Sequence, residues 1–242
     1  MATSLLISDL HLSESTPAIE AGLQRFLQRE ALEPTEPLVA LYILGDFFEA
    51  WIGDDDDAAY IERVRAALKK VSDRGTALYL NRGNRDFLLG ETFAASINAT
   101  LLGDQTLVEL AGEPTLLMHG DTLCTDDVDY QAFRSLVHSE AWQADMLAKP
   151  LAERRLLAQQ LRAMSMDAAS NKAEDIMDVN PDTVAQAMAD AGVSRLIHGH
   201  THRPARHRLA QGERVVLGDW SPTEGWCVRV TDNALSLETF TL

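Results

Sequence analysis

The sequence is short of cysteine and has no long apolar segment. Its 242 residues include only two cysteines, Cys124 and Cys227, with no Cys-x-x-Cys pair. That usage disfavours a disulfide framework and fits reduced thiols. No run is long and apolar enough to cross a bilayer, and no charged-then-apolar leader opens the chain. We therefore expect a cytoplasmic protein.

Basic residues are also scarce. The 21 lysines and arginines face 37 aspartates and glutamates, which gives a formal net charge of -16 and argues against nucleic acid as a partner. The acidic run at 54–57 is interpreted as mainly a solvated loop. With 46% hydrophobic residues and neither repeats nor a proline-rich linker, residues 1–242 are predicted to form a single domain.

Short apolar runs alternate with helical patterns along the chain. Strands are predicted at 4–8, 38–44, 77–80, 107–110, 115–118, 195–197, 215–217, 227–230 and 235–239. Helices are predicted at 17–30, 60–72, 86–97, 129–139, 151–165 and 181–191. The alternation in the first half indicates a sheet covered by helices, and the strand-rich C-terminal part indicates a second, mostly antiparallel sheet. The predicted fold is an α/β four-layer α/β/β/α sandwich.

Polar side chains follow five of the predicted strands. These loops carry seven possible donors: Asp9, His11, Asp46, Asn84, His119, His200 and His202. In open α/β sheets, ligands bind at the carboxyl edge of the strands. Any one of these side chains could instead cap a helix, form an Asx turn or be a satisfied core histidine. Five such loops together favour a functional site.

The mixture of carboxylate, amide and imidazole donors favours a pair of divalent ions. Imidazoles suit zinc, iron or manganese, while the oxygen donors favour harder ions, so manganese or iron fits the set best. A carboxylate shared by ions about 3.5–4 Å apart is the usual bridge. Asp46 is the candidate for that role, and His198 is expected to support the site without binding metal.

The motifs Asp-x-His, Gly-Asp, Gly-Asn, His-Gly and Gly-His-x-His resemble those of the calcineurin-like metallophosphoesterase superfamily. Longer blocks, at 43–55, 83–90, 119–127, 176–180 and 198–204, are similar to the family of UDP-2,3-diacylglucosamine hydrolases of lipid A biosynthesis. This resemblance runs nearly from end to end. It implies hydrolysis of the pyrophosphate bond of UDP-2,3-diacylglucosamine to UMP and 2,3-diacylglucosamine 1-phosphate, with water attacking the phosphorus of UMP.

The resemblance also implies residue roles. One Mn²⁺ would be held by Asp9, His11, Asp46 and His202, and a second by Asp46, Asn84, His119 and His200. The implied catalytic residues are Asp9, His11, Asp46, Asn84, Arg85 and His119. The family's substrate contacts fall on Asn84, Arg85, Asp127, Ser165, Lys172 and His200, and a further contact that is usually polar falls on Ala169.

Arg85 suits a pyrophosphate substrate on chemical grounds. Many metallophosphoesterases carry a histidine after the asparagine, which can protonate an alkoxide leaving group. An arginine cannot give up its proton, but it can grip a phosphate with a planar fork. A departing sugar phosphate needs no proton. The alternative is that Arg85 only pairs with the neighbouring Asp86.

The region at about 126–180 is helical in pattern and is interpreted as an inserted cap. Apolar residues recur there at helical spacing, with Arg154, Arg155 and Arg162 between them. The helices could simply pack on the core. They could also form an apolar groove for acyl chains, with the arginines on anionic headgroups at the cytoplasmic face of the inner membrane, which predicts a peripheral membrane protein.

Two other functions fit the sequence. The same scaffold could hydrolyse a soluble nucleotide or phosphodiester, or it could be a non-catalytic scaffold for protein binding. The presence of all seven donors argues against the scaffold, and no obligate protein partner is evident.

Overall fold

The computed structural model describes residues 2–170, 176, 178–232 and 234–242, with only the backbone described for 166–170. The strands are β1 (Thr3–Ile7), β2 (Leu38–Leu44), β3 (Ala77–Asn81), β4 (Ala99–Leu101), β5 (Gln105–Leu110), β6 (Glu113–Met118), β7 (Arg195–His198), β8 (Ala205–Leu209), β9 (Gly212–Val216), β10 (Glu224–Thr231) and β11 (Ala234–Thr241). The helices are α1 (Pro17–Leu27), α2 (Ala59–Ser72), α3 (Glu91–Ser96), α4 (Val128–Val137), α5 (Glu140–Leu147), α6 (Leu151–Ser170) and α7 (Pro181–Ala191).

The strands form two sheets. The first has the order β11-β10-β1-β2-β3-β4, and its strands from β1 to β4 are parallel. The second has the order β5-β6-β7-β9-β8, in which β6, β7 and β9 are parallel and the two edge strands are antiparallel. Parallel strands direct their carboxyl ends to the same edge, so the loops that follow them lie together.

Alternation along the strands builds the layers. In β1, Leu5 and Ile7 pack with α1 and α2, whereas Leu6 points to the opposite face and packs between the sheets. On the second sheet, Leu117 faces the same inter-sheet core, and Leu116 packs against Met188 of α7. Helices therefore cover both outer faces, and the predicted α/β/β/α sandwich is confirmed.

The predicted division of strands between the sheets is partly wrong. The second sheet is mixed rather than mostly antiparallel, and the last two strands, β10 and β11, pair with β1 of the first sheet. The apolar pattern of β10 suits burial in either sheet, because pattern alone does not identify a pairing partner.

The predicted helix at 86–97 begins only at Glu91. The Asp86 side chain accepts hydrogen bonds from the backbone N–H groups of Asp46, Phe47, Phe48 and Gly83, which ties residue 86 into a loop. An aspartate that accepts backbone bonds in this way competes with helix formation. Strands β4 and β8 also escape sequence reasoning, because one is very short and the other lies at a polar edge.

Helix α6 packs largely through charged contacts, besides Leu157, which is partly buried against the core. Arg154 is buried and donates to Asp55, to the Ile52 carbonyl and to the Lys149 carbonyl. Arg155 forms ion pairs with Asp56 and Asp57. Because Arg154 is buried in these contacts, the expectation that it contacts lipid headgroups is wrong, whereas Arg155 is partly exposed and its contact with headgroups stays a prediction. Asp55 and Asp57 are exposed, as expected for a solvated loop, but Asp56 is buried and the run also holds α6. No helix in the described residues has the length and hydropathy needed to span a bilayer.

Arg154 should stabilise the fold far more than its neighbour. We expect Arg154→Ala to lower the free energy of unfolding by about 2–4 kcal/mol, because it removes charged hydrogen bonds to two backbone carbonyls. The matched Arg155→Ala variant should have a clearly smaller effect, since its ion pairs are partly exposed. Urea unfolding of both variants measures the difference, and equal losses would contradict this packing.

Candidate metal centre

The seven predicted donors all lie in loops that leave the carboxyl ends of strands. Asp9 and His11 follow β1, and Asp46 follows β2. Asn84 follows β3, while the remaining histidines follow β6 and β7. Backbone hydrogen bonds join the first two loops, since the amide of Asp9 donates to Gly45 O and the amide of His11 donates to Asp46 O. The edge of each sheet thus contributes donors to one place.

Five of the donors have a left-handed backbone conformation, with φ between 48° and 66°: Asp9, His11, Asp46, His200 and His202. Only two other non-glycine residues in the described chain, Asn98 and Ala111, have a positive φ. This conformation is uncommon for residues with a Cβ, and such strain collects at functional sites. The tight turns aim consecutive donors inward, which an extended loop would not do.

One cluster consists of Asp9, His11 and His202. The Nε2 atoms of the two histidines lie 3.2 Å apart, and His202 Nε2 lies 3.4 Å from Asp9 Oδ1. Asp9 is fully buried, and the hydroxyl of Ser8 and the backbone amide of His200 donate to its carboxylate. These bonds hold the carboxylate oriented toward the two imidazoles.

The second cluster consists of Asp46, His119 and His200, with Asn84 between the rings. Oδ1 of Asn84 lies 3.0 Å from His119 Nε2 and 2.8 Å from His200 Nδ1. His119 Nε2 lies 3.6 Å from Asp46 Oδ1. The other ring nitrogen of His119 donates to the Leu44 carbonyl over 2.9 Å, so Nε2 is the nitrogen that faces the cluster and that becomes a ligand once the ring is neutral.

The electrostatics suit cations. Burial opposes the charged form of Asp9, but the hydrogen bond with His202 and the surrounding histidine charges hold its pKa well below the usual range. Burial also opposes the charge on His119, yet Asp46, Asp9 and Asp121 raise its pKa to about 9. Burial and the charge on His119 lower the pKa of His200 to about 4, so His200 is neutral and able to bind metal.

The raised pKa of His119 predicts pH-dependent metal binding. Without metal, His119 is protonated at pH 7, and a divalent ion must displace that proton. We expect the affinity for the second ion to rise roughly tenfold per pH unit from 6.5 toward 9, where the imidazole is already neutral. Calorimetric titration of metal-free protein at several pH values measures the slope, and an unchanged affinity would contradict it.

The residues fit two divalent ions. Each cluster brings at least three donor atoms within 4.8 Å of one another, and these donors are imidazole nitrogens and carboxylate oxygens. Asn84 adds an amide oxygen that both rings of the second cluster already approach. Two imidazole nitrogens that face each other, as in His11 and His202, match the donor pattern of an ion site. His198 stands outside both clusters, with Nδ1 donating to Gly199 O.

Two of the predicted substrate contacts lie next to each other. The guanidinium of Arg85 donates to Ser165 Oγ of α6 over 3.4 Å, and the Arg85 amide donates to Asp46 Oδ1. Nε of Arg85 is buried and makes no hydrogen bond within the described residues. The alternative pairing of Arg85 with Asp86 is not observed, because the Asp86 carboxylate is surrounded by backbone amides.

The remaining predicted contacts are placed differently. Asp127 caps α4 by accepting from the amide of Tyr130, a role that the sequence analysis did not assign. Ala169 lies in α6, and only its backbone is described, whereas Lys172 lies outside the described residues. Contact of these three positions with substrate therefore stays a prediction.

Sequence reasoning missed several residues that support the site. Asp86 organises the loops of Asp46 and Gly83, and burial together with the Asp46 charge raises its pKa to about 6. Asp121 is buried and accepts from Tyr130 Oη and Arg134 Nε, which ties α4 to the His119 loop. Both aspartates lie two residues after a predicted donor in the sequence. That closeness is the signal by which a supporting role could have been predicted.

Comparison with known proteins identifies the scaffold. The sequence profile described as calcineurin-like phosphoesterase matches residues 2–204. The chain belongs to the calcineurin-like phosphoesterase family. Within this family it is 53% identical over 238 residues to the UDP-2,3-diacylglucosamine hydrolase of Cellvibrio japonicus, with 97% of each chain covered. It is 52% identical to the protein of that name in Escherichia coli O7:K1, with 98% of each chain covered. These relatives are hydrolases.

Solved structures support the fold alone. A novel archaeal phosphodiesterase superposes with a TM-score of 0.51 at 11% identity, with 99% of each chain covered. A hypothetical protein of Pyrococcus horikoshii gives a TM-score of 0.52 at 12% identity, and the match covers all of this chain and 88% of the other. The calcineurin-like phosphoesterase fold is thus shown by both sequence and structure.

Proposed function

We propose that this member of the family hydrolyses the pyrophosphate bond of UDP-2,3-diacylglucosamine in lipid A biosynthesis, releasing UMP and 2,3-diacylglucosamine 1-phosphate. The observation that carries the proposal is the 50–53% identity, over nearly the whole chain, to relatives named for hydrolysis of this substrate. The converging donor clusters supply the chemistry that such a reaction needs. The cofactor proposed is two Mn²⁺ ions.

The proposed ion sites share Asp46. Asp9, His11 and His202 would hold the first ion and Asn84, His119 and His200 the second, with Asp46 donating to both. When bound, a pair of divalent ions would lower the pKa of a water molecule and neutralise phosphate charge. Residues of the chain then position the substrate so that water attacks the phosphorus of UMP.

Arg85 is proposed to bind the pyrophosphate. Its amide is anchored to Asp46, and its buried Nε is available to a substrate oxygen. Asn84, Asp127, Ser165, Ala169, Lys172 and His200 are proposed to line the rest of the substrate site. Because the leaving group is a stable sugar phosphate, no general acid is required at position 85.

Substitution of Arg85 tests this role. We expect Arg85→His to lower kcat/KM for pyrophosphate cleavage by roughly tenfold to a hundredfold, since it removes a fixed donor to the phosphate. Arg85→Lys should retain more activity because it keeps the positive charge. Initial rates of UMP release measure both variants. A gain in rate with histidine would show that the step needs a proton donor.

Residues 126–180 are proposed to form a cap beside the metal centre. Large apolar side chains are exposed along this segment: Val128, Phe133, Leu136, Leu147, Leu156, Met164 and Ile176. Such a concentration fits contact with acyl chains and with the inner membrane surface, where the protein would be peripherally bound on the cytoplasmic face. The proposal rests on this apolar surface and not on Arg154, which is buried in contacts with Asp55 and two backbone carbonyls.

The function is tested with metal-free protein. Mn²⁺, Mg²⁺ or Zn²⁺ is added back, and UMP release is compared between the detergent-solubilised acylated UDP-sugar and soluble UDP-sugars. We expect Mn²⁺ to give the highest rate and the acylated substrate to be strongly preferred. In water enriched in ¹⁸O, the label should enter UMP. Preference for a soluble substrate, or label in the sugar phosphate, would contradict the proposal.

A further inference from the structure

Glu49 lies beside the first donor cluster. The loops after β1 and β2 run together, with the amide of Leu12 donating to Phe47 O and the amide of Glu49 donating to Leu12 O. This short ladder places residue 49 next to the loop of His11. Glu49 is thus held through its backbone, which places its side chain beside the His11 ring.

The carboxylate of Glu49 joins a predicted metal donor to α6. Its Oε2 lies 3.2 Å from His11 Nδ1, and its Oε1 forms an ion pair with Nε of Arg162. Nδ1 of His11 is buried and has no other hydrogen-bond partner in the described residues. The Glu49 carboxylate, 3.2 Å away, is therefore placed to accept from that N–H.

The opposite nitrogen of His11 faces the cluster, because His11 Nε2 lies 3.2 Å from His202 Nε2. A histidine that binds metal through one nitrogen usually donates its other N–H to a carboxylate or carbonyl, which fixes the tautomer and makes the ligand more basic. Glu49, His11 and His202 are placed for such an arrangement, with the carboxylate on the Nδ1 side of the His11 ring and the cluster on the Nε2 side. The ion pair between Glu49 and Arg162 connects this arrangement to α6.

We propose that Glu49 is a positioning residue for His11, and that Arg162 holds Glu49 in place, so that the docking of α6 sets the affinity of the first ion. The inference rests on the two-ion centre proposed above and goes beyond it. It assigns Arg162 a function different from that of Arg154 and Arg155, which bind the loop at 55–57 and contact no metal donor.

Loss of the ion pair between Arg162 and Glu49 should change metal affinity much more than the free energy of unfolding. The ion pair of Arg162 and Glu49 is partly exposed, with 33% and 25% of the two side chains accessible. Exposed ion pairs contribute little to stability. A loss of metal affinity without a matching loss of stability therefore distinguishes positioning of His11 from a structural contact.

The test is calorimetric titration of metal-free protein with Mn²⁺. We expect Glu49→Ala to weaken binding of the first ion by roughly tenfold to a hundredfold, with little change for the second. Glu49→Gln keeps an acceptor and should lose less. Arg162→Gln should weaken the first ion by a smaller factor, and Arg162→Lys should restore most of it. Arg155→Gln, on the same helix, is the matched control and should bind both ions normally.

The outcomes separate the two proposals. If the unaltered protein binds fewer than two ions, the proposed metal centre is wrong. If it binds two, and Glu49→Ala and Arg162→Gln bind both with unchanged affinity, the positioning role is overturned. If Glu49→Ala fails to fold, the Arg162 variants still test the positioning role. The Arg162 side chain is partly exposed, so its replacement should leave the core intact.

Discussion

Replacing Asp46 by asparagine should lower kcat/KM by roughly 10³-fold or more and should prevent the two ions from binding together. Asp46 is buried, has a left-handed backbone, and lies with one carboxylate oxygen 3.6 Å from His119 Nε2. It is the proposed bridge between the ion sites. An amide offers one neutral oxygen where the bridge needs two charged ones, so the affinity of both ions should fall.

Asparagine is the appropriate replacement because the variant should still fold. Its side-chain oxygen can still accept the hydrogen bond that Arg85 N donates to Asp46 Oδ1. We therefore expect a native far-UV spectrum and a cooperative unfolding transition. Activity is measured as UMP release with saturating Mn²⁺, and stoichiometry is measured by elemental analysis. Retention of more than about a tenth of the activity would rule out the bridging role.

Alanine at Gly83 or Gly199 should lower activity about a hundredfold without changing any donor. A methyl group at Gly83 would overlap Oδ1 and the backbone nitrogen of Asp46. At Gly199 it would overlap Oδ2 of Asp9 and the Ser8 hydroxyl. Both carboxylates are buried among fixed partners, so relief of the overlap must displace them. A displacement of about 1 Å is enough to disturb a two-ion site.

Gly103→Ala provides the matched control for these variants. A methyl group there approaches only the Gln105 carbonyl, at the ordinary contact distance of 3.7 Å. We expect Gly103→Ala to retain normal kinetics and metal stoichiometry. If all three variants behave alike, close packing of the glycines against the carboxylates has no bearing on activity.

The donors could be predicted because each follows a strand directly. An apolar run indicates where a strand ends, and the parallel arrangement then brings Asp9, Asp46 and Asn84 to one edge. The pairing of β10 with β1 could not be predicted, since a buried strand fits several neighbours equally well. The boundary of α3 depends on amide bonds to Asp86 from residues some forty positions earlier in the chain.

The helical segment shows a different limit of sequence reasoning. Regular apolar spacing in α6 suggested a packed stripe with outward arginines, but Arg154 is the buried residue, and Leu156 and Met164 are exposed. The partners of Arg154 and Arg162 are Asp55 and Glu49, each roughly a hundred residues away in sequence. A charge pattern on one helix does not reveal ion pairs of this range.

The most direct test is an anomalous difference map from crystals grown with Mn²⁺. Two peaks about 3.5–4 Å apart are expected on either side of Asp46. One should lie among Asp9, His11 and His202, and the other among Asn84, His119 and His200. A single peak, or peaks that none of these side chains approaches, would contradict the two-ion centre on which the proposed hydrolysis depends.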